Sequence, residues 1–320
     1  MKILITGATG FIGSHFIKYF LDVHPNWEYI IFEGLNYAAA YDRLKQHRNR
    51  LKIFYHDFRG VINDHLIKNI GEVDYIFHIG AETHVDRSLV DPNPFIQSNI
   101  IGTYNLLEYA RLHQPRLKIF FYISTDEVYG PAPMGVDHDE NQPHRPSNPY
   151  SATKAAAEDL VFCWNHCMGV PAITTNTMNN IGEMQHPEKF VPMIIRSLIN
   201  DDIITVHGSP DRPGSRKYIY ARDHASAVDF LISNGKRGEK YNVVGQEEIN
   251  NLELVNRIAK VLNKTPKIKF VDFHSVRPGH DLRYSLDGSK MKTLGWVPPT
   301  NVDKALKQIV DWTLKNKQWL

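Results

Sequence analysis

Residues 2–13 read KILITGATGFIG, and GSHFIKYFLDVH continues over 13–24. The run Ile3–Ile5 is apolar and partly β-branched, which predicts a buried strand. Gly7, Gly10 and Gly13 follow, and the stretch from Gly13 onward has helical spacing of its apolar residues. A strand, a glycine turn and a helix in that order form a phosphate-binding opening. The glycines permit a tight turn and close backbone approach, and the helix N-terminus faces a pyrophosphate. The spacing is G-x-x-G-x-x-G rather than the commoner G-x-G-x-x-G, with the same physics.

Working outward, strand-like runs alternate with helical ones. EYIIFE (28–33), KIFYHD (52–57), YIFHIGA (75–81) and KIFFYIS (118–124) read as strands. PFIQSNIIGTYNLLEYARLH (94–113) and SATKAAAEDLVFCWNHCM (151–168) read as the longest helices, and VPAITTNTM as a last strand. This alternation predicts an α/β fold with a Rossmann-like, doubly wound parallel sheet. After residue 170 the pattern loosens into loops rich in Gly, Pro and His, of the kind that line a site. A smaller, interleaved substrate-binding lobe is expected there. Residues 1–176, about 216–237 and the C-terminal helix 303–320 are assigned to the dinucleotide domain, and 177–215 with 238–302 to the lobe.

Bulk properties narrow the class. A chain of 320 residues with 42% hydrophobic residues can bury a sizeable core. A net charge of +2 gives no reason to expect a nucleic acid partner. Cys163 and Cys167 cannot make a disulfide framework, suggest a reducing compartment and read as small buried helix residues rather than metal ligands. No metal site is expected. There is no leader pattern and no apolar run long enough for a membrane span, so a cytoplasmic location is expected.

Glu33 ends the second strand about twenty residues beyond the glycine turn, where a carboxylate accepts the adenine ribose hydroxyls. It would repel a 2′-phosphate, so the cofactor is read as NAD rather than NADP. Asp57 ends the third strand and reads as an adenine contact or a helix cap. Phe11, Ile12, Phe58 and Ala81 complete the expected cofactor surroundings.

In YSATK, Tyr150 and Lys154 stand four apart at a helix start, on one face. An ammonium beside a phenol favours the phenolate, which makes Tyr150 a candidate base. Glycine turn, Tyr-x-x-x-Lys and a Ser-Thr pair one strand earlier together resemble the extended short-chain dehydrogenase/reductase superfamily, with Thr125 at its hydroxyl-binding position. TDEVYG (125–130), AETHVDRS (81–88), NIIGTYNLLE (99–108), PSNPYSATKAAAE (146–158), MNNIGEMQHPEKFVP (178–192) and RPGHDLRY (277–284) resemble, nearly end to end, the nucleoside-diphosphate-glucose 4,6-dehydratases acting on dTDP- or UDP-glucose.

That resemblance implies a mechanism. Tyr150 takes the C4 hydroxyl proton during oxidation by NAD. Glu127, ionised, removes the C5 proton, and Asp126, protonated, donates to the departing C6 hydroxyl. Two close, desolvated carboxyls do not both ionise easily, which prepares the acid. Neighbours in a straight strand point to opposite faces, so the chain must bend at Thr125. The resemblance further implies substrate contacts from His84, Arg87, Asn180, Lys189, Val191, Arg216, Asn242, Arg277 and His280, with Asn99 in support. It also implies a homodimer built on the two long helices, through Ile100, Leu106, Leu107, Leu160 and Trp164. Asn176, Glu183 and Met184 depart from the family pattern near the pocket. They leave open a dehydratase for an N-acetylated sugar, beside a 4-epimerase, a decarboxylase or a silent NAD-binding subunit on the same scaffold.

Overall fold

The computed structural model describes residues 1–34, 36–272 and 282–320. The first half alternates as expected: β1 (Lys2–Thr6), α1 (Phe11–Val23), β2 (Glu28–Glu33), β3 (Leu51–Tyr55), α2 (Asp64–Ile70), β4 (Tyr75–His78) and α3 (Val85–Val90). The helix predicted over 94–113 begins with α4 (Asn93–Phe95), passes through a π-helical stretch, Ile96–Ile101, and continues as α5 (Gly102–His113). Then come β5 (Ile119–Thr125), α6 (Pro149–Met168) and β6 (Ala172–Thr177). The lobe adds β7 (Asn180–Ile181), α7 (Phe190–Asn200), β8 (Ile203–His207), β9 (Ser215–Lys217) and β10 (Ile219–Tyr220). After α8 (Ala221–Asn234) and β11 (Lys240–Val243) follow β12 (Glu248–Asn250), α9 (Asn251–Leu262), β13 (Lys267–Val271), α10 (Ser289–Leu294) and α11 (Val302–Lys315).

The main sheet has seven parallel strands in the order β11-β6-β5-β4-β1-β2-β3. Strand residues alternate between its faces. Ile3 and Ile5 pack with Phe16 and Phe20 of α1 and Val228 and Leu231 of α8. Leu4 between them packs with Leu106 and Leu107 of α5 and Val161 of α6 on the opposite face. Strand order reverses between β1 and β4, and their C-terminal ends open the crevice where such folds bind ligands. A further core joins α7, α9 and α11 through Ile194, Leu198, Leu254, Ile258, Leu306 and Ile309.

Several expectations change. The sequence boundaries put Lys240–Val243 in the lobe, but β11 pairs in register with β6 as an edge of the main sheet. The C-terminal helix was assigned to the dinucleotide domain, but its apolar stripe, Val302, Ala305, Leu306, Ile309 and Val310, completes the lobe core. Cys163 and Cys167 are exposed, not buried. Leu106 and Leu107, offered for a subunit interface, are wholly buried in the main core, and Leu160 and Trp164 pack against it. The exposed apolar residues of these helices are instead Ile96, Ile101, Tyr104, Leu112, Phe162 and Met168. Among the described residues, no helix is long and apolar enough to cross a membrane and no group of three His, Cys, Asp or Glu could hold a metal ion.

Candidate active site

The glycine turn is as tight as its sequence requires. Gly7 has φ +69°, and a side chain there would meet the Cα of Gly80 at 2.6 Å, across from the end of β4. A Cβ on Gly13 would lie 2.1 Å from the Gly7 carbonyl, so helix and turn are in direct contact. Gly10 begins α1 with its amide on the Gly7 carbonyl at 3.0 Å. Glu33, buried at the end of β2, accepts the Thr9 amide at 3.2 Å. A bare backbone cradle beside a buried carboxylate suits a dinucleotide: the cradle admits the pyrophosphate and Glu33 can accept ribose hydroxyls. Phe11, Ile12, Phe58 and Ala81 line the same cleft. Asp57 lies against Gly34 at the edge of the cleft and is not a helix cap. Its carboxylate is closed onto the Arg59 amide at 3.0 Å and the Arg59 guanidinium at 2.7 Å, as an exposed local turn rather than a helix cap.

The cleft runs on to Thr125, Asp126, Glu127, Tyr150, Lys154, Asn180 and Lys189. β5 ends at Thr125, and Asp126–Tyr129 form a 3-10 turn, which supplies the expected bend. The Thr125 hydroxyl donates to Asp126 Oδ1 at 2.9 Å and accepts the Glu127 amide at 3.4 Å. Asp126 is buried, and its Oδ2 has no hydrogen-bond partner among the described residues. Glu127 Oε2 accepts from Asn148 Nδ2 at 3.0 Å. Asn148 is also the N-cap of α6, closing a reciprocal box with Ser151 ahead of Pro149 at the first turn. One asparagine therefore fixes both the helix that carries Tyr150 and the carboxylate of Glu127. Asn148 was missed in the sequence, although Asn-Pro before a helical run is a capping signal.

Burial pushes the Asp126 carboxyl up to about 6, against the opposing charge of Arg216. Burial and then the charge of Asp126 push Glu127 up to about 7. Two carboxyls so close and both raised titrate as a pair rather than independently.

The Tyr150 phenol is raised, by burial first and then by the charge of Glu127, while the Thr125 hydroxyl lowers it. Lys154 donates to the Ile123 carbonyl at 2.7 Å and lies 4.2 Å over the Tyr122 ring. Burial brings its ammonium down to about 7.

The predicted substrate contacts divide. Lys189 lines the cleft and Arg216 stacks 4.7 Å over the Tyr284 ring, and both charges act on Glu127. Asn180 lines the cleft, its amide donating to Thr177 Oγ1 at 3.0 Å. His84 caps α3 and faces Glu188 at 3.4 Å, while Arg87 lies 3.8 Å over the Tyr37 ring. Asn99, in the π-helical stretch, holds the Glu82 backbone by both amide atoms and Thr153 Oγ1 at 2.9 Å. Val191 is buried in the lobe core, and Asn242 is buried in β11, donating to the His138 and Asp287 carbonyls, so neither side chain lines the cleft. Arg277 and His280 lie outside the described residues. The departures Glu183 and Met184 make packing contacts: Tyr220 donates to Glu183 at 2.9 Å and Arg43 to the Met184 carbonyl at 3.1 Å.

Comparison with known proteins agrees with this geometry. A family model described as GDP-mannose 4,6 dehydratase matches residues 4–309. The dTDP-glucose 4,6-dehydratase of Haemophilus influenzae is 38% identical, with 99% of this chain and 98% of that protein covered. A probable dTDP-glucose 4,6-dehydratase of Sinorhizobium fredii is 36% identical, covering 100% and 94%. The crystal structure of a dTDP-glucose 4,6-dehydratase from Streptomyces venezuelae with NAD bound superposes with a TM-score of 0.91 at 32% identity, covering 100% and 98%. A UDP-glucuronic acid 4-epimerase from Bacillus cereus shares the fold at TM-score 0.90 and 24% identity, covering 99% and 100%. A glycine cradle, a buried acid at the second strand, a carboxyl pair beside Tyr150 and a full-length family match place this chain in the GDP-mannose 4,6 dehydratase family.

Proposed function

We propose that this chain is an NAD-dependent nucleotide-sugar 4,6-dehydratase that converts a nucleoside-diphosphate-glucose, dTDP- or UDP-linked, to its 4-keto-6-deoxy product. The Asp126–Glu127 pair carries this reading. A 4-epimerase needs no acid and base for water loss, whereas elimination across C5 and C6 needs both, side by side. The glycine cradle and Glu33 would hold NAD, which would supply the hydride acceptor for C4 oxidation and the hydride returned to C6. Tyr150 takes the C4 hydroxyl proton, with Thr125 oriented beside it. The 4-keto group acidifies the C5 proton, which Glu127 removes while Asn148 holds its other oxygen. Asp126 gives its proton to the C6 hydroxyl, and its Oδ2, unpartnered among the described residues, suits that donation. Both carboxyls are raised by burial, so the pair readily keeps a proton, and this reading requires that proton on Asp126 when elimination begins.

Arg216 and Lys189 are proposed to meet the diphosphate, which guanidinium and ammonium groups recognise by charge-assisted hydrogen bonds. Glu183 and Met184 face α1 and Arg43 rather than the cleft, which favours the glucose nucleotide over an N-acetylated sugar. We place the protein in the cytoplasm, on the free thiols of Cys163 and Cys167. We read it as a homodimer whose contact uses the exposed Tyr104, Leu112 and Phe162; a stable monomer by light scattering at micromolar concentration would refute that. The test of function is product analysis with dTDP-, UDP-, CDP- and GDP-glucose and UDP-N-acetylglucosamine offered separately. A 4-keto-6-deoxy product from a glucose nucleotide is expected; C4 inversion with the C6 hydroxyl retained would replace this reading by an epimerase.

A further inference from the structure

Behind the Thr125–Glu127 turn lies a charged cluster that the reaction does not use directly. Glu158 of α6 is 2% exposed, and burial of a carboxylate is costly unless it is paired and hydrogen-bonded. Its Oε1 lies 3.1 Å from Lys240 Nζ at the start of β11 and 3.2 Å from His144 Nε2 in the loop leading to α6. Its Oε2 accepts from Asn176 Nδ2 at 2.9 Å, and the same nitrogen lies 3.3 Å from the Thr125 carbonyl. Asn176 is wholly buried and stands opposite Ser124 in the β5–β6 register. The Thr125 carbonyl belongs to the peptide plane that enters Asp126. Its direction sets where both carboxyls of the turn point.

We propose that Glu158 is a positioning residue for the elimination step. It holds the Thr125–Asp126 peptide through Asn176, with Lys240 and His144 as its counter-charges. The same ion cluster also grips the loop between the 3-10 turn and α6, because His144 is bound on both ring nitrogens, Nε2 to Glu158 and Nδ1 to Asp159 at 3.2 Å. Tyr150 and Lys154 ride on α6 itself and do not depend on Asn176 for their placement. Loosening the cluster therefore separates the two halves of the reaction: oxidation at C4 persists while proton transfer at C5 and C6 slows.

The inference rests on the dehydratase reading, and the experiment separates the two. Wild type, Glu158→Gln, Asn176→Ala and Lys240→Met are compared with dTDP-glucose for kcat, KM and the reduced-nicotinamide absorbance band during turnover. Misplacement of reacting groups by an ångström costs about 10²-fold, so Glu158→Gln should lose about 10²-fold in kcat and Asn176→Ala about tenfold, with KM within about twofold. Both should accumulate bound reduced nicotinamide, which a general loss of structure would not produce. In Lys240→Met the remaining cation is His144, which faces Glu158, Asp159 and the Tyr129 ring. Its hydrogen bond to Glu158 raises its affinity for the proton, so that charge is present at low pH and lost as pH rises through its raised value. The kcat of this variant should fall with rising pH where wild type does not. If wild type makes no 4-keto-6-deoxy product, the dehydratase reading falls and this one with it. If wild type turns over and Glu158→Gln and Asn176→Ala match it, or lose oxidation and elimination alike, the positioning role alone is overturned. Should Glu158→Gln fail to fold, Asn176→Ala, which leaves the ion cluster intact, decides.

Discussion

Glu127→Gln should make the protein more stable while ending turnover. Glutamine keeps the shape of the side chain and can still accept from Asn148 Nδ2, so the lost group is the charge alone. Burial and the neighbouring Asp126 move the Glu127 carboxyl from an ordinary 4.5 to about 7. At about 1.4 kcal/mol per pH unit, keeping it ionised costs the fold about 3 kcal/mol. Glu127 is partly open to the cleft, and water offsets some of that, which leaves about 2 kcal/mol. The sign follows from proton counting. Between those two values the folded chain binds more protons than the unfolded one, so stability falls as pH rises through the window and the cost is fully present above about pH 7. A chain of 320 residues unfolds with an entropy of about 0.7 kcal/mol/K, so 2 kcal/mol raises the melting midpoint by about 3 °C. Calorimetry of both proteins at about pH 8.5 and about pH 5 is the assay, with the gain present at the first and nearly gone at the second. A variant less stable than wild type at both values, by a similar margin, would refute the idea that this carboxylate is held against the preference of the fold.

Three further outcomes follow from the same geometry. Tyr150→Phe removes the base for the C4 hydroxyl and should abolish even the first oxidation; reduced nicotinamide formed on mixing with substrate would exclude Tyr150 from that role. Asp126→Asn should slow loss of the C6 hydroxyl yet keep C5 exchange with deuterated water, because Glu127 remains, and loss of exchange as well would merge the two roles. Wild type should release NAD on denaturation, whereas Gly13→Ala, which places a Cβ 2.1 Å from the Gly7 carbonyl, should purify without it; an equal NAD content would mean that the turn relaxes at no cost to binding.

What the sequence made legible was local. The glycine turn, the acid ending β2 and Tyr150 with Lys154 each depend on residues within a strand or a helical turn, where periodicity carries the information. Thr125 could be read as a bend because adjacent side chains cannot share a face of a straight strand. The contacts that periodicity does not reveal depend on partners far along the chain. Asn242 reads as a polar strand residue near a nucleotide, but its neighbours are the carbonyls of His138 and Asp287. Val191 sits beside Lys189 in sequence yet points into the lobe core. Lys154 reads as a partner for Tyr150, but its contact is the Ile123 carbonyl one strand away. Glu158 gave no signal, because its meaning depends on Asn176 and Lys240, from two strands that become its neighbours only when the sheet forms.

The chain enters and leaves the main sheet repeatedly after β6. It returns for α8 and β11, and again for α10, whose Met291 packs into the main core, before ending in the lobe with α11. The lobe is therefore not a removable cassette. Exchanging the sugar-recognition part of this protein for that of a relative would require several cuts, each falling between elements anchored in the sheet. Every seam would carry its own packing mismatch. New substrate preference in such an architecture is reached more readily by single substitutions along the cleft than by recombination, and a protease that nicks one lobe loop should leave the pieces associated rather than release a folded fragment.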